Sequence, residues 1–425
     1  MNKRLIIPLS ILILVIIGVT ILILLTNNSP SLSPNKTSNL EECKTVYYNG
    51  NNKINIVFFS TEDQAKEYSD YFLAIEPFKS NKEEFNFYYI DDYSASCELY
   101  QDIAILCYNK ELIKKASSCP NDYIVVIKEE NSKIRSSAYM NVMSLNKNHK
   151  LSVFPHEFGH AFASLAEEYT PARIPEGSEN CKGDCKLFTI KDGCFKGCSD
   201  SDYYRSIDSG IMRTLSSKEY GEYDEMLISE KIKKSSSITS LAIEELIDCT
   251  NEKYYLIEGT YSEGKINILK KTPEIGCVGG NGEGRFDYKL IMKDDSILTE
   301  GSFNPELIFT DQQEITSPQI SGEILNSERS FILKLPIILN SKKLEIIQDN
   351  QLLETVDLAT CDSVLTCANY NSQSMCESDF CNIINLETTI NNCGYQDDQI
   401  KIDCTDKCSW RNNECTFIYN ITQLN

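Results

Sequence analysis

The stretch Ser152–Glu176, SVFPHEFGHAFASLAEEYTPARIPE, decides how the rest of the chain is read. It carries two of the chain's three histidines, His156 and His160, four positions apart with Glu157 beside the first. On a helix of about 3.6 residues per turn, positions i and i+4 lie on one face one turn apart, so both imidazoles reach one Zn²⁺ at roughly 2.0–2.1 Å. Glu157 then reaches a water on that ion, whose pKa the metal lowers toward about 7. The glutamate takes its proton as general base, and the hydroxide attacks a carbonyl polarised by the same ion. Hydrolysis of a peptide bond is the reaction class expected from this pattern. Accident is the competing explanation, and with so few histidines the pattern arises by chance on the order of once in a thousand. Val153, Phe154, Phe158, Ala161, Phe162 and Leu165 give the motif the apolar flanks of a buried helix.

A catalytic zinc needs a third protein ligand. The remaining histidine, His149, sits in NKNHK, a lysine- and asparagine-rich stretch that reads as a loop, so a carboxylate is expected instead. Glu167 lies eleven residues after His156. At about 100° per residue it returns to within roughly 20° of the same azimuth, while Glu168 points about 100° further round. An unbroken helix would leave Glu167 about 10 Å along the axis from His160, so the chain is expected to turn back near Ala163 and Ser164. Glu168, Glu219 and Glu222 are the alternative acids.

The formal net charge of -21, from 62 acidic and 41 basic residues, excludes a nucleic-acid partner, because phosphate binding needs a basic face. At the N-terminus, Lys3 and Arg4 precede an uncharged apolar run from Leu5 to Leu25, long enough to span a bilayer and without a small-residue cleavage site. Residues 1–27 are therefore read as a transmembrane signal-anchor that leaves the remainder outside the cell as a single-pass ectodomain, secretion being the lesser alternative. Eighteen cysteines agree with an oxidising compartment. The sequons at Asn35 and Asn420 are compatible with it.

Residues 28–42 are polar and proline-bearing and read as a stalk. From 43 to 250, the strands KINIVFF, FNFYYI and YIVVIKE alternate with the helical spacing of TEDQAKEYSDYFLAI, which predicts an α/β (α+β) domain. From 251 to 360, YYLIEGTYSEG, INILKK, FDYKLIMKDDSILTEGSF, SFILKLPIIL and KKLEIIQDNQLLETVDL are short strands divided by turns, the pattern of a β-sandwich. Residues 361–425 carry eight cysteines and read as a small disulfide-stapled module. Cys181, Cys185, Cys194 and Cys198 have spacings that suggest structural zinc in a cytosolic protein; outside the cell they predict two disulfides bracing a loop.

HEFGHAFASLAEEY resembles the motif of the IgA-peptidase metallopeptidases, the igalysin group of zinc endopeptidases. The similarity reaches upstream over INIVFFSTEDQAKEYSDYFLAIEPFKSNKEEFNFYYIDD and downstream over CKGDCKLFTIKDGCFKGCSDSDYYRSIDSGIMRTLSSKEYGEYDE, about Lys53 to Glu230 in all. The resemblance implies a metzincin-like zinc peptidase domain with one catalytic Zn²⁺. In it His156, His160 and Glu167 are the metal ligands, Glu157 the general base and Met212 the methionine beneath the metal. It departs from the family at Glu167, where an aspartate is usual, and at Ser164, where a glycine commonly allows the turn. Tyr203, Tyr204 and Arg205 are candidates to steady an oxyanion, or a packed aromatic pair with a salt bridge. The expected partners are a protein or peptide substrate, the membrane through the N-terminal helix, and a protein or glycan target of the C-terminal regions. The alternative is a surface adhesion or binding protein that retains a peptidase-like domain of little activity.

Overall fold

The apolar run KINIVFF becomes a strand buried along both faces, and the first layer of the molecule is built around it. A computed structural model describes residues 40–358 apart from 191, 239–248, 251, 312–322, 325–327 and 338–340, together with 376, 401–404, 407–411, 414–418 and 421–424. The expected anchor of 1–27, nearly all of the stalk, the asparagines of both sequons and most of the cysteine-rich module lie outside the described residues. Among the described residues, no helix is long and apolar enough to cross a membrane.

The chain is mixed α/β, with few helices. In order come β1 (Lys44–Tyr47), β2 (Ile54–Phe59), α1 (Glu62–Phe72), β3 (Phe85–Ile90), β4 (Glu98–Tyr100), β5 (Ala104–Leu106), α2 (Lys110–Ala116), β6 (Tyr123–Lys128), β7 (Ser137–Tyr139), β8 (Val142–Asn146) and α3 (Val153–Ala163). They are followed by β9 (Phe195–Cys198), β10 (Asp200–Arg205), α4 (Glu222–Ile238), β11 (Lys253–Ser262), β12 (Lys265–Ile275), β13 (Phe286–Met292), β14 (Ile297–Phe303) and β15 (Leu307–Thr310). The remaining strands of the body are β16 (Glu323–Ile324), β17 (Arg329–Pro336), β18 (Ser341–Gln348) and β19 (Gln351–Asp357).

The largest sheet has the order β1-β3-β2-β6-β8-β7-β15-β16. β3, β2, β6 and β8 run parallel, whereas β1, β7, β15 and β16 are antiparallel to their neighbours. A parallel sheet must be covered on both sides. One side receives α1 and α3. Thr61 caps α1 in a reciprocal capping box with Gln64, and Ala65, Tyr68 and Phe72 form its buried stripe. α3 is buried all round from Val153 to Phe162, and its Phe154 and Phe158 meet Phe72 at ring-centroid distances of 4.8 and 5.1 Å. A ring buried like Phe158 contributes about 3–5 kcal/mol relative to alanine. The other side is covered by α2, with its Asn109 cap, and by Tyr254, Leu256 and Ile332 of the later strands.

β12-β11-β17 and β14-β13-β18-β19 form two antiparallel sheets that share one apolar core, with Phe303 of β14 against Phe331 of β17 at 5.2 Å. β15 lies between these strands in sequence, yet it leaves them and pairs with β7, Phe309 opposite Ala138 and Thr310 opposite Ser137. The stretch Cys181–Cys198 is stapled by nested disulfides, Cys181–Cys198 and Cys185–Cys194, as expected of an oxidising compartment. Cys43–Cys119, Cys97–Cys107, Cys249–Cys277 and Cys376–Cys415 are bonded as well.

Candidate metal centre

α3 places His156 and His160 one turn apart with their Nε2 atoms 3.3 Å from each other. Each ring is fixed from behind by its other nitrogen. Nδ1 of His156 donates to the Ile211 carbonyl at 2.9 Å, and Nδ1 of His160 to the Leu165 carbonyl at 2.6 Å. With each Nδ1 committed to a carbonyl, Nε2 is the atom that each ring turns to the site, the orientation that metal-ligating imidazoles receive from carbonyl partners.

The helix stops where the sequence reading expected a turn. Ser164 is left-handed at φ 52°, and the Ser164 and Leu165 N–H groups return to the carbonyls of His160 and Gly159. That reversal has two effects. It brings the Leu165 carbonyl onto His160, and it folds Glu167 back over the histidines. Glu167 Oε1 lies 3.2 Å from His160 Nε2, and its Oε2 lies 3.5 Å from His156 Nε2. Among the described residues, His156, His160 and Glu167 are the group whose donor atoms gather within 4.8 Å.

A tetrahedral ion with ligands at roughly 2.0–2.1 Å holds neighbouring ligand atoms about 3.3–3.4 Å apart. The two Nε2 atoms stand near that edge length and Glu167 turns a different oxygen to each ring, all within 4.8 Å; two imidazoles and a carboxylate are a donor set that suits a small tetrahedral cation such as Zn²⁺. The electrostatics agree. Burial pushes the Glu167 carboxyl up, but the two imidazoles outweigh it and hold the group below the usual carboxylate range. Burial opposes charge on His156, yet the Glu167 carboxylate lifts its pKa to about 10; at His160 burial prevails and lowers it. Glu167 and protonated His156 form a balanced pair, and a cation held by the three residues takes the place of the His156 proton, because metal binding needs the neutral imidazole.

Glu157 is fully buried, and neither carboxylate oxygen has a hydrogen-bond partner among the described residues. Burial pushes its pKa well above the ordinary carboxylate value; His156 opposes that shift, while Asp311 and Glu167 add to it. Glu168 is buried with different company. Its N–H donates to the Met212 carbonyl at 2.9 Å, and its side chain interacts with Arg205, Arg213 and Asp224 rather than with the histidines. Burial, opposed by the two arginines, carries it to about 8. Glu219 and Glu222 are exposed, away from a buried donor set. Met212 is fully buried under α3, where a Cβ on Gly159 would come within 2.8 Å of its sulfur.

Arg205 is committed elsewhere. Its guanidinium donates to the carbonyls of Lys196, Gly197 and Asp208 and to the Asp208 carboxylate, which ties β10 to β9. Tyr204 exchanges backbone hydrogen bonds with Lys182, and Tyr203 is exposed. His149 lies in a turn, yet its side chain is buried, with Nδ1 on the Asp311 carboxylate at 2.7 Å.

Two residues escaped the sequence reading. Phe309 of β15 stacks on His160 at 4.2 Å with the rings 12° from parallel, and Asp311 holds His149 and accepts from the Ser136 N–H at 2.8 Å. Both come from a segment that reads as one more strand of the β-rich region, and no local signal marks LIFTD as part of a centre formed around residue 160. A small cleft beside His160 is walled by Ala138, Ala161, Pro175, Leu307 and Phe309. No protein-family model matches the chain, and no curated protein matches it.

Proposed function

We propose that the chain is a zinc-dependent endopeptidase, held on the outer face of a cell membrane by its N-terminal segment. The reading is carried by the buried triangle of two Nε2 atoms and a carboxylate with an unpartnered glutamate, Glu157, beside it. The resemblance to igalysin-type, metzincin-like peptidases supports it, as does the oxidised state of the cysteines. Under this reading His156, His160 and Glu167 hold Zn²⁺. When bound, the ion supplies a lowered water pKa and polarisation of the substrate carbonyl.

The chain's own residues do the rest. Glu157 accepts the proton of the attacking water, whose oxygen adds to the carbonyl carbon, and returns it to the amine nitrogen as the carbon–nitrogen bond breaks. The Ile211 and Leu165 carbonyls keep each imidazole in the tautomer that presents Nε2. Phe309 fixes the plane of His160 and shields it from water. The substrate is a protein or peptide entering the cleft beside His160, and the strong negative charge argues against nucleic acid.

The test is metal content and cleavage of an unfolded protein by the purified full chain. We expect about one zinc per chain, inhibition by a chelator, and a fall in rate of roughly 10²–10⁴-fold in Glu157→Gln with zinc retained. Unchanged activity in that variant would sink the mechanism.

A further inference from the structure

Lys334 is the buried lysine of the described residues, 2 % exposed on β17. Its ammonium group crosses to the turn after α2, where Nζ donates to Oδ1 of Asn121 at 2.5 Å; Asn121 is 1 % exposed. The carboxamide is held in one orientation, because its nitrogen donates to the carbonyls of Ala116 at 2.9 Å and Cys119 at 2.6 Å, leaving its oxygen toward the amine. The lysine backbone is clamped too, by paired hydrogen bonds with the Asn281 side chain at 2.7 and 3.0 Å. Gly279 lies across the pair, and a Cβ there would fall 2.4 Å from Oδ1 and 2.5 Å from Nζ. Only a residue without a side chain permits this approach.

An ammonium has three protons to donate, and among the described residues one acceptor is in hydrogen-bond reach. Burial therefore favours the neutral amine and lowers its pKa to about 7, with the charge of Asp122 opposing the shift. A neutral primary amine pressed against an oriented carboxamide, away from water, is a nucleophile beside an electrophile at high effective concentration.

We propose that Lys334 and Asn121 join through an intramolecular isopeptide bond between Nζ and Cγ, which ties β17 covalently to the turn after α2. Asp122, next to Asn121 in the chain and with its Oδ2 accepting from the Asn55 backbone and side-chain N–H groups, is the carboxylate whose charge acts on Lys334 and draws the proton from the ammonium. The free amine adds to Cγ, the bond from Cγ to the amide nitrogen breaks, and that nitrogen departs with the protons given up by the amine. One ammonia is released per bond, and nothing is oxidised or reduced. Among the described residues, no disulfide joins β17 to the parallel sheet, so the bond adds a connection that the cysteines do not make.

The test is peptide mapping of the full chain after denaturation, reduction and alkylation. The expected product is a branched peptide containing both Asn121 and Lys334, lighter than the sum of its two parts by one ammonia, and absent from Lys334→Arg. Recovery of the two peptides separately from wild type, with Lys334 open to acetylation after unfolding, overturns the proposal. The wild-type map decides even if the variant fails to fold, with an unreduced aliquot of the same preparation showing the Cys181–Cys198 bond of native protein.

Discussion

Glu167 and Glu168 are chemically identical neighbours in opposite surroundings. Two imidazoles keep the first anionic, while burial keeps the second close to neutrality beside Asp224 and a pair of arginines. Glu167→Ala is therefore expected to abolish zinc retention through dialysis. Glu168→Gln should keep the metal and lose stability by about 1–3 kcal/mol, because it disturbs a buried polar cluster. Loss of zinc in Glu168→Gln with retention in Glu167→Ala would transfer the ligand role. That His156, His160 and Glu167 gather was partly legible, because histidine is scarce and a carboxylate had to fold back toward it; helical azimuth had no bearing, since the helix ends at Ala163. Their supports were not, since the carbonyls of Ile211 and Leu165 act through the backbone, whose direction no side-chain pattern announces.

At the scale of the element, the reversal at Ser164 converts a helical motif into a centre. A left-handed non-glycine residue is strained by roughly 1–2 kcal/mol, part of which the hydrogen bond from Ser178 Oγ to the Ser164 carbonyl offsets. Ser164→Gly should relieve the strain and raise unfolding free energy by up to about 1 kcal/mol, less the added entropy of the unfolded chain. Denaturant titration measures this, and zinc content is expected to stay constant; a loss of stability would mean that the serine is held for another reason. The turn itself could be foreseen, because without it Glu167 lies too far along the axis. The elements before it, β2, α1, β3 and β6, follow apolar runs and helical spacing closely.

Over the whole molecule, the β-rich region does more than follow the α/β sheet. β15 returns to that sheet, seats Phe309 on His160 and brings Asp311 to His149. A chain ended at residue 250 is therefore expected to lose zinc and become protease-sensitive, despite keeping the entire HEFGH motif. Phe309→Ala in the full chain should cost about 3–5 kcal/mol of stability, read by denaturant titration. Zinc retained at full occupancy in the truncated chain would show that β15 is dispensable. This partnership was hidden because pairing across such a distance in sequence has no local period, and LIFT reads equally well as a strand of either layer.

The place of β15 in the chain also sets a clock. Asp311 follows its partner His149 by 162 residues. At about 5–20 residues per second, synthesis delivers it roughly 10–30 s later. A nascent chain thus carries its histidines and glutamates well before the segment that closes over them has been made. Under the proposed reading the site is completed last, and a chain still being made lacks the strand that seats Phe309 on His160.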